Sequence, residues 1–239
     1  MDCVVAIDQG TQSSRVIIYD VSSMKHLASH QLEHSQIRPK PGWAEHDPLE
    51  IFEKVNECME VAYQKACAAS ERPISVKALG ITNQRETTLV WDKDTGKPLH
   101  NAIVWLDTRT ETICQQLEVE FGGKDCFRAV TGLPISTYFS GVKLRWLLDN
   151  VPAVKSAAAA GKAQFGTIDT WLIYMLTGGA QGGECVIDVT NASRTLLMDL
   201  ETLTWHQPTL ERLHIQPSLL PRIVSSAEVY GWVRAGALK

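Results

Sequence analysis

Two apolar runs separated by a polar turn open the chain. Residues 3–7 read CVVAI, residues 8–15 read DQGTQSSR and residues 16–19 read VIIY. Short apolar runs bounded by turn-forming residues predict two strands of a hairpin. A third run, residues 26–32, mixes apolar with polar residues, which is typical of an outer strand with one face in water. The sequence therefore predicts a small antiparallel meander at the start of the fold.

A helix start follows the meander. Asp47 is an N-cap acid, Pro48 stands at the first helical position and Glu50 follows three residues after the cap. Apolar residues then recur three or four positions apart, which predicts one apolar stripe along a helix of about five turns. The stripe consists of Phe52, Val55, Met59, Ala62 and Ala66.

Strands and helices alternate through the rest of the chain. The predicted strands cover residues 76–81, 87–91 and 102–105, and the predicted helices cover residues 110–121, 141–149 and 169–176. A strand that follows a helix is typical of the crossover units of an α/β fold. No repeat, long linker or shift in composition marks a second domain, so we expect one α/β domain.

Composition excludes several classes of protein. The 239 residues carry 23 Lys and Arg against 27 Asp and Glu, a formal net charge of −4, which is not the charge of a nucleic-acid-binding domain. No run reaches the roughly 18 consecutive apolar residues that a membrane helix needs. The first residues are acidic, whereas a secretory signal begins with basic ones. The six cysteines form no Cys-x-x-Cys pair, and we interpret them as reduced thiols of a cytoplasmic protein.

The polar turn after the first run carries groups that suit phosphate and metal. Asp8 would hold Mg²⁺ through water, and the amides and hydroxyls of Thr11, Gln12 and Ser13 would donate to phosphate oxygens. Arg15 adds a fixed positive charge. A tight hairpin rich in turn formers is the commoner explanation for such a composition, so this motif needs further support.

Arg85 and Glu86 stand where one predicted strand ends and the next begins. A donor next to an acceptor suits a vicinal diol, whose hydroxyls do both. Trp105 and Tyr138 lie near the ends of other predicted elements, where their rings would pack on the C–H face of a polyol. A surface ion pair is the commoner explanation for Arg85 with Glu86, and an aromatic side chain is most often core. The polar segment 190–194 is interpreted as structural.

Other catalytic patterns are missing from the sequence. Around Gly161-Lys162, the Walker pattern would need glycine at Ser156 and Ser or Thr at Ala163. The glycine pairs at residues 178–179 and 182–183 lack the spacing of a dinucleotide site. A phosphate-binding P-loop and a Rossmann cofactor site are therefore both unsupported.

Eight motifs occur in an order that resembles the glycerol kinases, a group of the carbohydrate kinases. They are residues 8–15 (DQGTQSSR), 41–48 (PGWAEHDP), 81–88 (ITNQRETT), 101–105 (NAIVW), 138–140 (YFS), 165–172 (FGTIDTWL), 190–194 (TNASR) and 228–231 (EVYG). The match runs in register from Val5 to about Lys239. One departure is Gln12, where the family more often has Thr or Ser; the backbone amide survives this change and the hydroxyl is lost.

The resemblance implies an α/β domain of the ribonuclease-H-like (actin-like) class, with a mixed β-sheet flanked by helices. Residues 1–239 would form the N-terminal, substrate-binding domain of a two-domain kinase that transfers a phosphoryl group from ATP with Mg²⁺ to glycerol, giving glycerol 3-phosphate and ADP. The positions that match nucleotide-phosphate contacts are Thr11, Gln12, Ser13 and Arg15, with Asp8 near the metal. The positions that match glycerol contacts are Arg85, Glu86 and Tyr138, with Trp105 on the glycerol carbons.

The family's catalytic Asp lies in a Gly-Asp-Gln segment early in its second domain, and no such segment occurs in these residues. We therefore expect the catalytic base and the C-terminal nucleotide-binding domain beyond residue 239, and little or no turnover by this chain alone. We also expect a cytoplasmic enzyme that binds no nucleic acid and inserts into no membrane, with a homodimer allowed for the full-length form. Two alternatives stay open: a non-catalytic polyol-binding or regulatory protein, and a kinase for another polyol or sugar.

Overall fold

The computed structural model describes residues 1–234, along which groups of strands and groups of helices follow one another. The strands are β1 (Asp2–Gln9), β2 (Ser13–Asp20), β3 (His26–Glu33), β4 (Glu45–His46), β5 (Ser75–Asn83), β6 (Leu89–Asp92), β7 (Ala102–Ile103), β8 (Ala163–Gly166), β9 (Val186–Asp188), β10 (Met198–Asp199), β11 (Thr204–Trp205) and β12 (Arg222–Val224). The helices are α1 (Pro48–Ala69), α2 (Glu111–Phe121), α3 (Arg128–Thr131), α4 (Ser140–Asn150), α5 (Pro152–Ala159), α6 (Ile168–Leu176), α7 (Val189–Ala192) and α8 (Gln207–Arg212). The last five residues of the domain predicted over residues 1–239 lie outside the described residues.

The main sheet is mixed and has the order β3-β2-β1-β5. β1 pairs antiparallel with β2, β2 pairs antiparallel with β3, and β1 pairs parallel with β5. The predicted meander is therefore confirmed. Strand β5, which follows helix α1, pairs in parallel with β1 of the meander, as a crossover unit requires. The sequence prediction of an α/β fold with a mixed sheet is confirmed.

One face of this sheet forms a core with α1. Cys3, Val5 and Ile7 alternate with less buried residues along β1, and they are completely or almost completely buried. Because side chains alternate between the two faces of a strand, this pattern gives β1 one buried face that is apolar from Cys3 to Ile7. Helix α1 packs its apolar stripe against β2 and β3. Trp171 of α6 belongs to the same core.

Helix α1 begins at the predicted cap and is longer than predicted. The Asp47 side chain accepts a hydrogen bond from the Leu49 N–H at 2.8 Å. Glu50 does not close a capping box, because its carboxylate accepts from the backbone N–H and hydroxyl of Ser35, each at 3.0 Å. Phe52 is half-buried, whereas the other four stripe residues are buried.

A second core contains buried residues of α2, α4, α5, α8, β6 and β8. The predicted helices are confirmed as α2, α4 and α6, whereas the alanine-rich α5 was not predicted. The strand predicted over residues 102–105 ends at Ile103, so Trp105 lies in a loop. No helix among residues 1–234 is long and apolar enough to cross a membrane.

The parallel strands β1 and β5 end at the same edge of the main sheet. Gln9 and Asn83, their last residues, are partners in the ladder, and the Gln84 N–H donates to the Gln9 carbonyl at 2.7 Å. The hairpin turn after β1 and the loop after β5 therefore start side by side. The candidate site is built from these two connections.

Candidate functional site

The hairpin between β1 and β2 is tighter than predicted. Asp8 lies in β1 and faces Arg15 of β2 across the ladder, so only residues 10–12 form the turn. The Gly10 N–H donates to the Ser13 carbonyl at 2.8 Å and closes it. Arg15 Nη2 lies 2.5 Å from Asp8 Oδ2, and both side chains are exposed. The charged pair thus lies in the two strands, close to the turn of residues 10–12.

The tip of this turn offers unpaired backbone donors. The Thr11 carbonyl accepts from Gln36 Nε2 at 3.0 Å, and the Gln12 carbonyl accepts from the His34 N–H at 3.2 Å. The N–H groups of Thr11 and Gln12 have no acceptor within residues 1–234. Bound carbonyls and free N–H groups in one short turn are the donor arrangement that binds an anion such as a phosphate.

The same turn fits a magnesium ion held largely by water and phosphate oxygens. Asp8 contributes a half-exposed carboxylate, of which Oδ2 is bound to Arg15. Among the described residues, no group of three or more His, Cys, Asp or Glu side chains is arranged to hold a metal. Mg²⁺ commonly binds through one or two carboxylates together with substrate phosphates, so a single carboxylate beside a phosphate-binding turn is a consistent donor set.

Trp105 joins the hairpin turn to the predicted glycerol residues. Its Nε1–H donates to Thr11 Oγ1 at 2.9 Å, and its ring centroid lies 5.3 Å from that of Tyr138. Its backbone N–H donates to Thr87 Oγ1 at 3.3 Å. Two groups of residues that are far apart in the sequence, and that were predicted to bind different ligands, are therefore neighbours.

Glu86 is paired with Arg194 rather than with Arg85. Arg194 Nε lies 2.6 Å from Glu86 Oε1, and Glu86 is buried. The Arg194 guanidinium also lies 5.6 Å from the Tyr138 ring centroid and 5.0 Å from that of Phe139, within the range of cation–π attraction. The structural role predicted for segment 190–194 is thus incomplete, because its arginine belongs to this cluster.

The backbone at Glu86 is unusual. Its φ is 60°, in the left-handed region that residues with side chains rarely adopt. The Ser140 hydroxyl donates to the Glu86 carbonyl at 3.0 Å and fixes this turn. Strained backbone of this kind persists where the surroundings hold it, and it concentrates at functional sites.

Arg85, the neighbour of Glu86 in the chain, differs from it in burial and in pairing. It is exposed, and its guanidinium forms no hydrogen bond or ion pair within residues 1–234. It lines one end of a groove of about 510 Å³ that runs along β5 and α6 beneath residues 226–233. The expected surface ion pair between Arg85 and Glu86 is not formed. Arg85 therefore stays available to a ligand, whereas Glu86 already has a cationic partner.

A buried amide network supports both connections from below. Gln84 Nε2 lies within 3.1 Å of Gln9 Oε1, 3.2 Å of the Gly10 carbonyl and 3.3 Å of His46 Nδ1. The Gln84 carbonyl oxygen of the side chain accepts from the Thr87 hydroxyl at 2.8 Å. Burial lowers the pKa of His46 to about 3, so its ring is neutral and accepts or donates as a neutral imidazole.

Two aspartates hold the segment that leads to Arg194. Asp188 caps α7 by accepting from the N–H groups of Thr190 and Asn191, at 3.2 and 2.9 Å. Asp169 in turn accepts from the Asp188 N–H at 3.2 Å. Burial, with the nearby charge of Asp188 adding to it, raises the pKa of Asp169 to about 7. The sequence placed Arg194 in the segment 190–194 but did not reveal its partner, because its contact with Glu86 joins residues 108 positions apart.

The chain also matches a known protein family. The family described as "FGGY family of carbohydrate kinases, N-terminal domain" matches residues 3–239. The chain is 53% identical over 235 residues to glycerol kinase 2 of Streptomyces coelicolor and 55% identical over 233 residues to the glycerol kinase of Arabidopsis thaliana. These matches cover 98% and 97% of this chain but only 45% and 44% of the relatives. The chain thus spans less than half the length of the curated relatives it matches.

A solved structure is similar over the same extent. The structure of Plasmodium falciparum glycerol kinase with ADP matches this chain with a TM-score of 0.93 and 42% sequence identity. The match covers 98% of this chain and 45% of that chain. Both the sequence and the backbone therefore agree with one end of a longer kinase.

Proposed function

Because the chain belongs to the FGGY family of carbohydrate kinases, matching its N-terminal domain, we propose that it supplies the acceptor-binding half of an ATP-dependent kinase that phosphorylates glycerol. Its mixed sheet flanked by helices is the ribonuclease-H-like (actin-like) fold of this family. Glycerol is favoured over other acceptors because relatives at 53% and 55% identity are glycerol kinases. Residues 1–239 then form the N-terminal domain, and the nucleotide-binding domain lies in the length that the relatives have in addition.

The contact between Trp105 and Thr11 is the observation that supports this proposal most directly. It puts the hairpin turn next to a cluster that contains the Glu86 carboxylate, the Arg194 guanidinium and the rings of Trp105 and Tyr138. Glycerol needs this combination, since its hydroxyls donate and accept while its carbons offer an apolar C–H face. A kinase needs the donor phosphate and the acceptor hydroxyl in adjacent positions, because much of its catalysis is positioning.

The acceptor side would work through its own charges and rings. The Glu86 carboxylate would accept a hydrogen bond from one glycerol hydroxyl, and Arg85 would donate to another. Tyr138 and Trp105 would cover the carbons and exclude water from the reacting hydroxyl. Arg194 would hold the Glu86 carboxylate in place through their ion pair, and the reaction would not consume it.

The phosphate side would bind ATP through the hairpin turn. The free N–H groups of Thr11 and Gln12 would donate to phosphate oxygens, together with the Ser13 hydroxyl and Arg15. Mg²⁺ bound near Asp8 would neutralise charge on the phosphates and orient them. The base that takes the proton from the acceptor hydroxyl would come from the second domain, so this chain provides the positioning and part of the charge stabilisation.

Two measurements on the 239-residue chain and one chimera test this proposal. We expect the chain to bind glycerol weakly by calorimetry and to give little or no glycerol 3-phosphate in a coupled assay. Fused to the C-terminal part of the Arabidopsis thaliana relative, it is expected to turn over glycerol with ATP. Robust turnover by the chain alone would contradict the division of the site between two domains.

The choice of acceptor has its own test. In the chimera, Arg85→Ala is expected to raise the glycerol KM, whereas Arg15→Ala is expected to affect ATP and leave glycerol binding nearly unchanged. Equal use of a pentulose such as xylulose would favour a kinase for another sugar. Glycerol binding without any turnover in a folded chimera would favour the alternative of a non-catalytic polyol-binding protein.

A further inference from the structure

One lysine is completely buried next to the acceptor cluster, which consists of Glu86, Trp105, Tyr138 and Arg194. Lys143 lies in the first turn of α4, and its side chain has no solvent exposure. Its Nζ donates to the backbone carbonyls of Thr137 at 2.7 Å, Tyr138 at 2.6 Å and Phe139 at 3.4 Å. An ammonium group has three donors, and all three are directed at the loop that leads into its own helix.

A buried lysine normally needs a carboxylate partner, and Lys143 has none within ion-pair distance among residues 1–234. Burial lowers its pKa to about 7, while the more distant charges of Asp107 and Glu86 oppose this shift. Taking a charge out of water is costly, so it is retained where its polar contacts serve a purpose. Here those contacts are three carbonyl oxygens of one loop.

The loop depends on this lysine for its backbone contacts. The carbonyls of Thr137 and Tyr138 have no other donor among the described residues. Helix α4 has no side-chain cap, because the residue at its N-cap position is Phe139. The local contacts that remain are the donations from the Tyr138 and Phe139 N–H groups to Ser136, at 3.2 and 3.4 Å.

This loop carries Tyr138, whose ring lies 5.3 Å from Trp105 and 5.6 Å from the Arg194 guanidinium. We propose that Lys143 is a positioning residue of the acceptor site: the hydrogen bonds of its Nζ fix the carbonyls of residues 137–139 and thereby hold the Tyr138 ring against Trp105. The inference rests on the proposed function, since it takes glycerol as the ligand of this cluster. Lys143 itself touches neither acceptor nor nucleotide.

Lys143→Met tests this role, because methionine keeps an unbranched chain of similar length and removes all three donors. Leu144→Ala is the matched control: Leu144 is equally buried on the same helix, and its truncation lowers stability without removing a carbonyl contact. The two readouts on the 239-residue chain are glycerol affinity by calorimetry and nuclear Overhauser effects between the rings of Trp105 and Tyr138. Folding is checked by circular dichroism.

Lys143→Met is expected to weaken or abolish the Trp105–Tyr138 Overhauser effects and to raise the glycerol Kd on the order of tenfold. Leu144→Ala is expected to keep both within about twofold, even where its melting temperature falls. Unchanged Overhauser effects and Kd in Lys143→Met would overturn the proposal. So would a rise in Kd of equal size in Leu144→Ala, because lost stability alone would then explain it.

A milder variant covers the case in which Lys143→Met does not fold. Lys143→Gln is neutral, one atom shorter and limited to two N–H donors, so we expect weakened Overhauser effects and a Kd rise of roughly threefold. Wild-type values in a folded Lys143→Gln would overturn the proposal. If wild-type chain binds no glycerol, the proposed function fails, whereas the Overhauser effects still decide what Lys143 does to Tyr138.

Discussion

The two halves of the candidate site are built in opposite ways. At the hairpin, Arg15 and Asp8 form an ion pair whose side chains are 46% and 38% exposed, and the tip leaves N–H groups unpaired. In the acceptor cluster, Glu86 is 2% exposed and has a fixed partner in Arg194. Buried charges are expensive to leave unpaired, whereas exposed ones are not.

The residues proposed to bind ligand at the hairpin therefore contribute little to the stability of the fold. Those in the acceptor cluster contribute to both ligand binding and stability. Substitutions at the turn remove groups that contact water, so the fold loses little. Substitutions around Glu86 remove groups on which both the buried backbone and the ligand geometry depend. The four predictions below test this contrast, from the largest expected effect to the smallest.

Breaking the buried pair should have the largest effect. Arg194→Ala leaves the Glu86 carboxylate buried without its partner, and we expect a loss of roughly 3 kcal/mol in the free energy of unfolding, reduced somewhat because Arg194 is itself partly exposed. Glycerol affinity should fall with it. Urea unfolding and calorimetry measure both quantities.

The double variant Glu86→Gln with Arg194→Met is the control for this prediction. It removes both charges together, so most of the stability should return while glycerol binding should not. If Arg194→Ala unfolds at the same urea concentration as the wild-type chain, the buried pair does not stabilise the cluster and the contrast with the hairpin is lost.

The pH dependence of stability should also belong to the acceptor side. The pKa of Asp169 is raised to about 7 in the folded chain, above its unfolded value, so the folded state binds more protons between about pH 4 and pH 7. The stability that this group contributes is complete below about pH 4 and is lost as the pH rises through about 7. The carboxyl of Asp169, which accepts the hydrogen bond from the Asp188 N–H, is thus sensitive to pH.

Asp169→Asn isolates this effect because asparagine does not titrate. Relative to wild type, the variant should gain on the order of 2 kcal/mol between pH 5 and pH 8. Chemical unfolding at both pH values gives the difference. A difference in stability between variant and wild type that stays constant with pH would show that Asp169 keeps the same charge throughout.

The hydrogen bond between Trp105 and Thr11 joins the two regions and should have an intermediate effect. Trp105→Phe keeps an aromatic ring and removes the Nε1 donor, and Thr11→Val removes the acceptor. A double-mutant cycle on glycerol affinity and on unfolding should give a coupling of about 1 kcal/mol. Additive effects of the two substitutions would mean that the regions act independently.

The smallest effect on stability is expected at the hairpin. Arg15→Ala removes an exposed ion pair and should change the free energy of unfolding by less than about 0.5 kcal/mol. ADP binding should weaken while glycerol binding stays the same. Arg128→Ala, which removes an exposed pair with Asp125 elsewhere, is the matched control and should leave both ligands unaffected.

Much of the fold was predictable because it follows from local patterns. The two apolar runs of the hairpin, the N-cap at Asp47 and the periodic stripe of α1 each concern neighbours in the chain, and each matches the structure. The short strand β7 was overestimated, and Trp105 was placed in it. A two-residue strand has too few residues to show a period, so its end cannot be read from sequence.

The candidate site was predictable by residue type and not by partner. Arg85 and Glu86 were singled out as a pair because they are adjacent, yet Glu86 binds Arg194 and Arg85 faces the groove. The partner of Glu86 lies 108 residues away in the chain, and a local pattern does not reveal it. Lys143 lies within a predicted helix, and no sequence pattern marked it as buried.

The sequence alone was enough for the α/β class, the hairpin, the family resemblance and the residue types of the two halves of the candidate site. The tertiary structure alone decided that Trp105 bonds to Thr11, that Arg194 neutralises Glu86 and that Lys143 holds the loop of Tyr138. The physical reason is the range of the interactions. Periodicity and caps act within a few residues of the chain, whereas these contacts join segments that only the closed fold brings together.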